Sequence, residues 1–514
     1  MTNHATLLRS LVIYGICLPL AVVLGFLATN SANLDVNSIG AIGVIIGILL
    51  IPILLRFHYF LLVASWNMSM ILFFLPGRPA FTLAMSAISF LIFIGHRTLD
   101  KRFRFLSVPE INRPVIALVL VILITAEATG GMGLRAFGGD VYGGKRYIVM
   151  FIGIMGYFAL TARRIPLNQA HLYLALFFLP GITAFAQDFY AMSGPFKYLY
   201  LLFPPTLVGA VDFGVTRFVG MSTGASLIFC YMLARYGIKG IFSTAKPWRG
   251  VFFVLISVIG LFGGFRSALI AFIFSFTFHF FLEGAHRTRL FPTFLFIFVS
   301  IAAICLPLMQ RLPSTIQRSF AFIPFLPIDP IIKMDAEGSS DWRIRMWKAA
   351  WPDVPRYLLI GKGLGMSVQD FNFAVDSNLS KSPTGDDYWG ALAAGDYHNG
   401  PLSVIITFGI WGALAFLWLL RGGIRVLYYN YKYGDESLKM INTFLLSYFM
   451  ARVIVFMFVV GGFQNDLTAF LGLLGLSVSL NGGMARQPQT VPVVSSKADR
   501  LAALLPQPKS AFSR

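Results

Sequence analysis

Residues 251–283 read VFFVLISVIGLFGGFRSALIAFIFSFTFHFFLE, and how this stretch is divided decides the fold of the whole chain. As one helix it would be about 50 Å long at 1.5 Å per residue, well beyond a hydrocarbon core of about 30 Å. Gly263-Gly264 interrupts it just before Arg266, so it reads as two short helices, 251–265 and 267–283, with Arg266 at the turn. The choice propagates along the chain. Merging the two would move every later loop to the opposite face of a membrane.

A membrane is the solvent this composition calls for. The chain has 514 residues, 57% hydrophobic and only 12% charged, with a mean hydropathy of +0.74, which is more apolar surface than a soluble protein can hide. An aromatic content of 15% also argues against disorder, collagen and coiled coil. Lysine and arginine outnumber aspartate and glutamate 41 to 22. These cations sit between apolar runs and not in a basic stripe interleaved with stacking aromatics, so no nucleic-acid partner is expected. Cys17, Cys230 and Cys305 fall inside apolar runs and read as buried thiols, not as a disulfide framework.

Working outward from the decisive stretch gives about fourteen apolar segments, near 11–28, 38–55, 58–75, 80–95, 114–128, 147–162, 171–188, 218–234, 251–265, 267–283, 290–309, 400–420, 441–460 and 466–482. The expected fold is therefore an all-α polytopic membrane protein, with the run from Leu11 to Ala28 as an uncleaved first span. If the N-terminus is cytoplasmic, alternate loops and the tail collect 24 cations, including Arg97, Arg163, Arg249 and Lys439, against 7 in the short loops opposite. That asymmetry orients both termini inside. The organisation expected is helices 1–11 over residues 1–309, a long outer loop over 310–399, helices 12–14 over 400–482, and a disordered cytoplasmic tail over 483–514. Within the long loop, Ser339 to Trp351 reads as a short helix capped by Ser340 or Asp341.

Absences narrow the chemistry. The sequence has no phosphate-binding loop of Walker type, no H-E-x-x-H and no paired cysteine motif, so no soluble cofactor is expected. Asp386-Asp387 is the one acidic pair on the outer side, and it reads as a solvated loop, so no metal site is expected. Of seven histidines, this topology puts His398 alone on the outer face, where the long loop re-enters the membrane. It reads as an interfacial histidine or as a general base near neutral pH. Arg217 and Arg266 fall on the same face. Each alone reads as a snorkelling anchor, yet Arg266 lies between apolar helices and requires a partner or a wet cavity. A pair of guanidinium groups suits a diphosphate. Arg452, near the middle of its segment, pairs with an acidic group or meets a lipid phosphate.

The ordered set Arg217-x-x-Gly220, Gly264-Phe265-Arg266-Ser267-Ala268-Leu269, Arg345-Met346-Trp347-Lys348, Gly361-Lys362-Gly363-Leu364-Gly365, His398-Asn399 and Phe408-Gly409-Ile410-Trp411-Gly412 resembles the O-antigen ligase and O-antigen polymerase superfamily of bacterial envelope glycosyltransferases. The resemblance covers roughly residues 210–420. It implies a glycosyltransferase-C-like enzyme of the inner membrane, independent of metal, that moves a glycan from undecaprenyl diphosphate to an acceptor hydroxyl on the periplasmic face. The acceptor would be lipid A-core for a ligase or another lipid-linked repeat for a polymerase, with other envelope assembly proteins as further partners. By the same resemblance Arg217 and Arg266 bind the donor diphosphate, Arg345 orders the loop over it, Asn399 belongs to the substrate site, and His398 activates the acceptor. A polysaccharide or lipid transporter is the alternative of another class. It would predict midplane polar sites and a repeat.

Overall fold

The computed structural model describes residues 51–75, 77–102, 105–130, 132, 142–192, 199–205, 209–210, 215–379 and 388–487, together with Gly25 and Ile45. It is all-helical apart from a hairpin that pairs Gly209 with Thr216 and Ala210 with Val215 and isolated bridges Ile71–Ala80 and Tyr142–Met366. In chain order the helices are α1 Ile51–Ser65, α2 Phe81–Leu99, α3 Pro109–Ala128, α4 Gly144–Leu160, α5 Leu167–Phe189, α6 Val219–Ile241, α7 Trp248–Gly260, α8 Arg266–Leu282 and α9 Leu290–Leu308. They continue as α10 Ser314–Phe320, α11 Pro330–Ala350, α12 Val368–Leu379, α13 Tyr388–Ala393, α14 Gly400–Tyr433, α15 Lys439–Phe458 and α16 Phe463–Asn481. Among the described residues five stretches are long and apolar enough to cross a membrane: α2, α3, α5, α14 and Glu436–Phe458, while Pro52–Ser65, Trp248–Gly263 and α8 are shorter and apolar. The segment expected at 11–28 apart from Gly25, two thirds of that at 38–55, the Asp386-Asp387 pair and the tail beyond residue 487 lie outside the described residues.

The decisive stretch does divide. α7 ends in a 3₁₀ turn over Leu261–Gly263, Gly264 takes a left-handed φ of 64°, and α8 begins at Arg266. A residue without a Cβ adopts that conformation without penalty.

Three boundaries differ from expectation. The segment expected at 58–75 is α1, which runs through Arg56 and stops at Ser65. No glycine or proline interrupts the sequence at Arg56, and the chain turns directly after Ser65, where Trp66 N donates to Val63 O at 3.3 Å and Met68 N to Ser65 O at 3.1 Å. The helix expected from Ser339 starts instead at Pro330, because the Asp329 carboxylate accepts from the Ile331 amide at 2.8 Å and proline suits the first turn. The segment expected at 400–420 continues to Tyr433, carrying Arg421 and Arg425 on a helix where a loop was expected. Gly422, Gly423, Val426 and Leu427 keep one face of it buried.

At 34 residues α14 is broken once, at Gly409, whose φ is 66°. The loop Leu358–Gly363 fills the break: Lys362 N donates to Ile406 O at 2.7 Å, Gly363 N to Thr407 O at 2.9 Å, and Ile410 N to Leu358 O at 2.7 Å. Two of the sequence motifs, Gly361-Lys362-Gly363 and Phe408-Gly409, are thus halves of one joint. It satisfies amides and carbonyls that a broken helix would otherwise strand in an apolar setting.

The core lies between α14, α15 and α16, where Phe408, Phe444, Phe449, Phe456 and Phe470 are fully buried. Contacts sort the connecting segments into two ends. At one, Tyr59 Oη donates to Leu160 O at 3.0 Å, Ile165 N to Ser479 O at 2.9 Å, and Tyr431 Oη to Leu282 O at 2.9 Å. At the other, Lys145 Nζ donates to Gly77 O at 3.1 Å and Ile71 N to Leu202 O at 2.8 Å.

Candidate active site

The site is built where α6 and α8 begin. Asp188 accepts from the amides of Gly220 at 3.2 Å and Met221 at 2.7 Å, so a carboxylate from α5 caps the start of α6. A Cβ at Gly220 would lie 2.1 Å from the Ala184 carbonyl oxygen. This close approach is the physical content of the Arg217-x-x-Gly220 spacing. Phe218 N then donates to Phe262 O at 3.1 Å, tying the residue after Arg217 to the α7–α8 turn.

Arg217 Nη2 lies 3.8 Å from Asp335 Oδ2. Arg318 Nε donates to the same carboxylate oxygen, and its Nη1 donates to Gly264 O at 2.7 Å. Arg266 Nη1 donates to Ser340 Oγ at 2.7 Å. Arg343, further along α11, is close enough to Arg318 for that charge to hold its guanidinium below the ordinary value, after burial, which does most. Burial first and the charge of Arg318 second push Arg217 down to about 10, against the pull of Asp335. It still carries its proton at neutral pH. Arg318 is 3% exposed, yet its Nη2, like Arg217 Nε, is buried without a hydrogen-bond partner. Two guanidinium groups, Arg217 and Arg318, thus reach one carboxylate, with Arg266 and Arg343 beside them and donors to spare. Such an arrangement has the charge and the free donors to hold an anion of more than one charge.

His398 stands beside this cluster, held by the same helix. Trp342, next to Arg343, meets the imidazole edge-on at 5.4 Å between ring centres, and Trp347 Nε1 donates to Tyr397 O at 2.9 Å. Asn399 caps α14 by accepting from Leu402 N at 3.0 Å. A Cβ at Gly400 would lie 2.2 Å from Phe456 O. Pinned on both sides, His398 takes a left-handed φ of 47°, a conformation that non-glycine residues keep only where their surroundings impose it. Its Nδ1 lies 3.0 Å from Asp396 Oδ1, at ion-pair distance though off hydrogen-bond alignment. Burial alone would raise the Asp396 carboxyl, but His398 and Arg146 outweigh it and hold it below its ordinary value. A cavity of about 450 Å³ opens against His398 and Asp396 and is walled by α6, α8, α15 and the start of α16.

Of the residues singled out from sequence, Arg217, Arg266 and His398 come to one end of the bundle. Asn399 is a helix cap, and Arg345 is exposed on α11 while Arg343 belongs to the cluster. Sequence reading missed Arg318, Asp335, Arg343 and Asp396. For Arg343 a signal existed: Ala336, Ser340, Arg343, Trp347 and Ala350 recur at spacings of four and three, one face of a helix, and Arg345 is off it. Arg318 carries no such mark among nine cations of the long loop.

Fold and site together define a multi-pass membrane protein with a cluster of arginines at one end. Residues 251–417 match the family model described as O-antigen ligase, and this match supports a relation of that segment to the O-antigen ligase superfamily. No curated protein matches the chain. The matched segment contains Arg266, Arg318, Asp335, Arg343 and His398, and leaves out Arg217 and Arg452.

Proposed function

We propose that this protein is an O-antigen ligase-type glycosyltransferase that moves a glycan from undecaprenyl diphosphate to a hydroxyl of lipid A-core, or of a similar acceptor, on the periplasmic face of the inner membrane. The observation that carries this reading is the clustering of Arg217, Arg266, Arg318 and Arg343, of which Arg217 and Arg318 share the carboxylate of Asp335, beside His398. The leaving diphosphate gathers charge as the anomeric bond breaks, and fixed guanidinium groups in a water-poor site stabilise that charge without reorganising. His398 keeps Nδ1 toward Asp396, which leaves Nε2 to take the acceptor's proton. The acceptor oxygen bonds to C1, the C1–O bond to phosphate breaks with its electron pair on the diphosphate, and the proton rests on the imidazole. A general base at this position contributes about 10²- to 10⁴-fold.

Sidedness has support from the contacts between connecting segments. Gly77 with Lys145 and Ile71 with Leu202 join loops that the cation pattern assigns outside, and Ile165 with Ser479 joins segments it assigns inside.

The test is a deletion strain with its surface glycolipids resolved on a gel. Loss of a ligase leaves bare core while polymerised glycan accumulates on the carrier lipid. Core bearing a single repeat would make the protein a polymerase, and glycan stalled on the cytoplasmic side would make it a transporter. Purified enzyme is expected to keep its activity in excess chelator. A requirement for magnesium or manganese would overturn the charge-stabilising role given to the arginines alone.

A further inference from the structure

The cavity against His398 extends from the arginine cluster's neighbourhood into the bundle, and its walls are of an unusual kind for a space between apolar helices. α6 contributes Ser222 and Ser226, and α8 contributes Ser267 and Ser275. At the far wall Arg452 Nη2 donates to Asp466 Oδ1 at 2.8 Å and Nη1 to Tyr448 Oη at 3.4 Å, while Nε is buried without a partner. Between these lie apolar surfaces, from Phe265, Ala268, Ala271, Ala451, Val455 and Val460. A polyprenyl tail would meet charge and hydroxyls it cannot satisfy. A diphosphate would face Asp396 and Asp466, away from the four guanidinium groups. A sugar ring fits both kinds of wall: hydroxyls that donate to carboxylates and accept from a guanidinium, and ring faces that lie on alanines. At about 450 Å³ the space is in the range of small-molecule sites.

We infer that this cavity is the subsite for the terminal sugar of the acceptor, with Arg452 and Asp466 as its polar anchor. The inference rests on the proposed transfer reaction. In a direct displacement the nucleophile approaches C1 from the side opposite the leaving group. With the diphosphate on the arginine cluster, the acceptor lies on the side of the base, and His398 forms the cavity's wall there. Arg452 and Asp466 fall beyond residue 417, where the family match ends, so the subsite's polar anchor lies outside the matched segment while its α8 and His398 walls lie within it.

Two measurements decide it. In the first, Ala271→Leu narrows the cavity without touching the Arg452–Asp466 pair, and Arg452→Lys keeps the charge but loses the fork. Purified variants are assayed with lipid-linked glycan as donor and lipid A-core from a strain lacking this protein as acceptor. The expected result is a KM for acceptor raised about 10-fold or more with the KM for donor unchanged. A raised donor KM would assign the cavity to the donor's own sugar and overturn the inference, as would unchanged values for both substrates. In the second, Ser226→Cys is labelled with a water-soluble thiol reagent in the full-length protein, and delipidated core oligosaccharide is expected to slow labelling at least 3-fold. Protection by lipid-linked donor alone, or by neither, would overturn the subsite even if the narrowing variant failed to fold. Failure of the parent reading looks different: wild-type protein would then transfer nothing to any acceptor, and the subsite would fall with it.

Discussion

Asp335 is the carboxylate that Arg217 and Arg318 share, and Arg318 is the most buried of the four clustered arginines, with one arm on Asp335 and another on the Gly264 carbonyl. Replacing it by alanine would leave a buried carboxylate short of its partner, a loss of about 3–5 kcal/mol, so the informative change is Arg318→Lys. That variant keeps the charge and loses the planar fork. Transfer should fall about 10²-fold or more while expression and detergent-solubilised size remain those of wild type, measured by transfer assay and size-exclusion chromatography. Asp396 permits a test of pH. Its carboxyl is held below its ordinary value, so the stabilisation it contributes is complete above the unfolded carboxyl range and is lost as pH falls through the folded value. Asp396 is exposed and the pair with His398 is worth at most about 1 kcal/mol. Wild type should therefore exceed Asp396→Asn in thermal stability at neutral pH, with the difference vanishing in acid, as read by melting temperature across a pH series. A difference independent of pH would remove the charge pairing. Arg217, Arg266 and His398 could be reached from sequence because sidedness and an apolar setting make a charge conspicuous. Arg318 and Asp396 could not, since a cation or carboxylate in a long polar loop looks like any other until folding buries it.

Among the elements, α6 is held by the tightest single contact near the site. The Gly220 backbone lies against the Ala184 carbonyl, with no room for a methyl group, and the same turn presents Arg217. Gly220→Ala should shift α6 away from α5 and cost about 1–3 kcal/mol. Because Asp188 loses its amide partners in that shift, transfer should fall more than stability does, checked by comparing melting temperature with activity at a temperature where the variant is fully folded. Equal and small effects on both would mean that α6 slides without moving Arg217. The division at Gly264 was legible because a turn with two glycines breaks an apolar run too long to be one span. The extent of α14 was not legible. Arg421 and Arg425 look like a loop's cations, and only the buried Gly422-Gly423 face shows why the helix continues past them.

For the molecule as a whole, the cation asymmetry and the sorting of contacts into two ends make one statement about orientation, and it can be checked directly. Gln369, at the start of α12, belongs to the end that carries His398 and is exposed. Ser437, in the turn before α15, belongs to the other and is also exposed. Cysteine at Gln369 should react with a membrane-impermeant thiol reagent in intact spheroplasts, and cysteine at Ser437 should react only after lysis. The reverse pattern would place the arginine cluster on the cytoplasmic side and remove the proposed reaction. The joint at Gly409 adds an order in time. A ribosome makes residues 358–363 well before it makes 406–410, and neither half has a partner for its amides and carbonyls until both exist. Until α14 is made, the stretch carrying Arg318, Asp335 and Arg343 lacks this anchor, so the arginine cluster takes its place in the fold only late in synthesis.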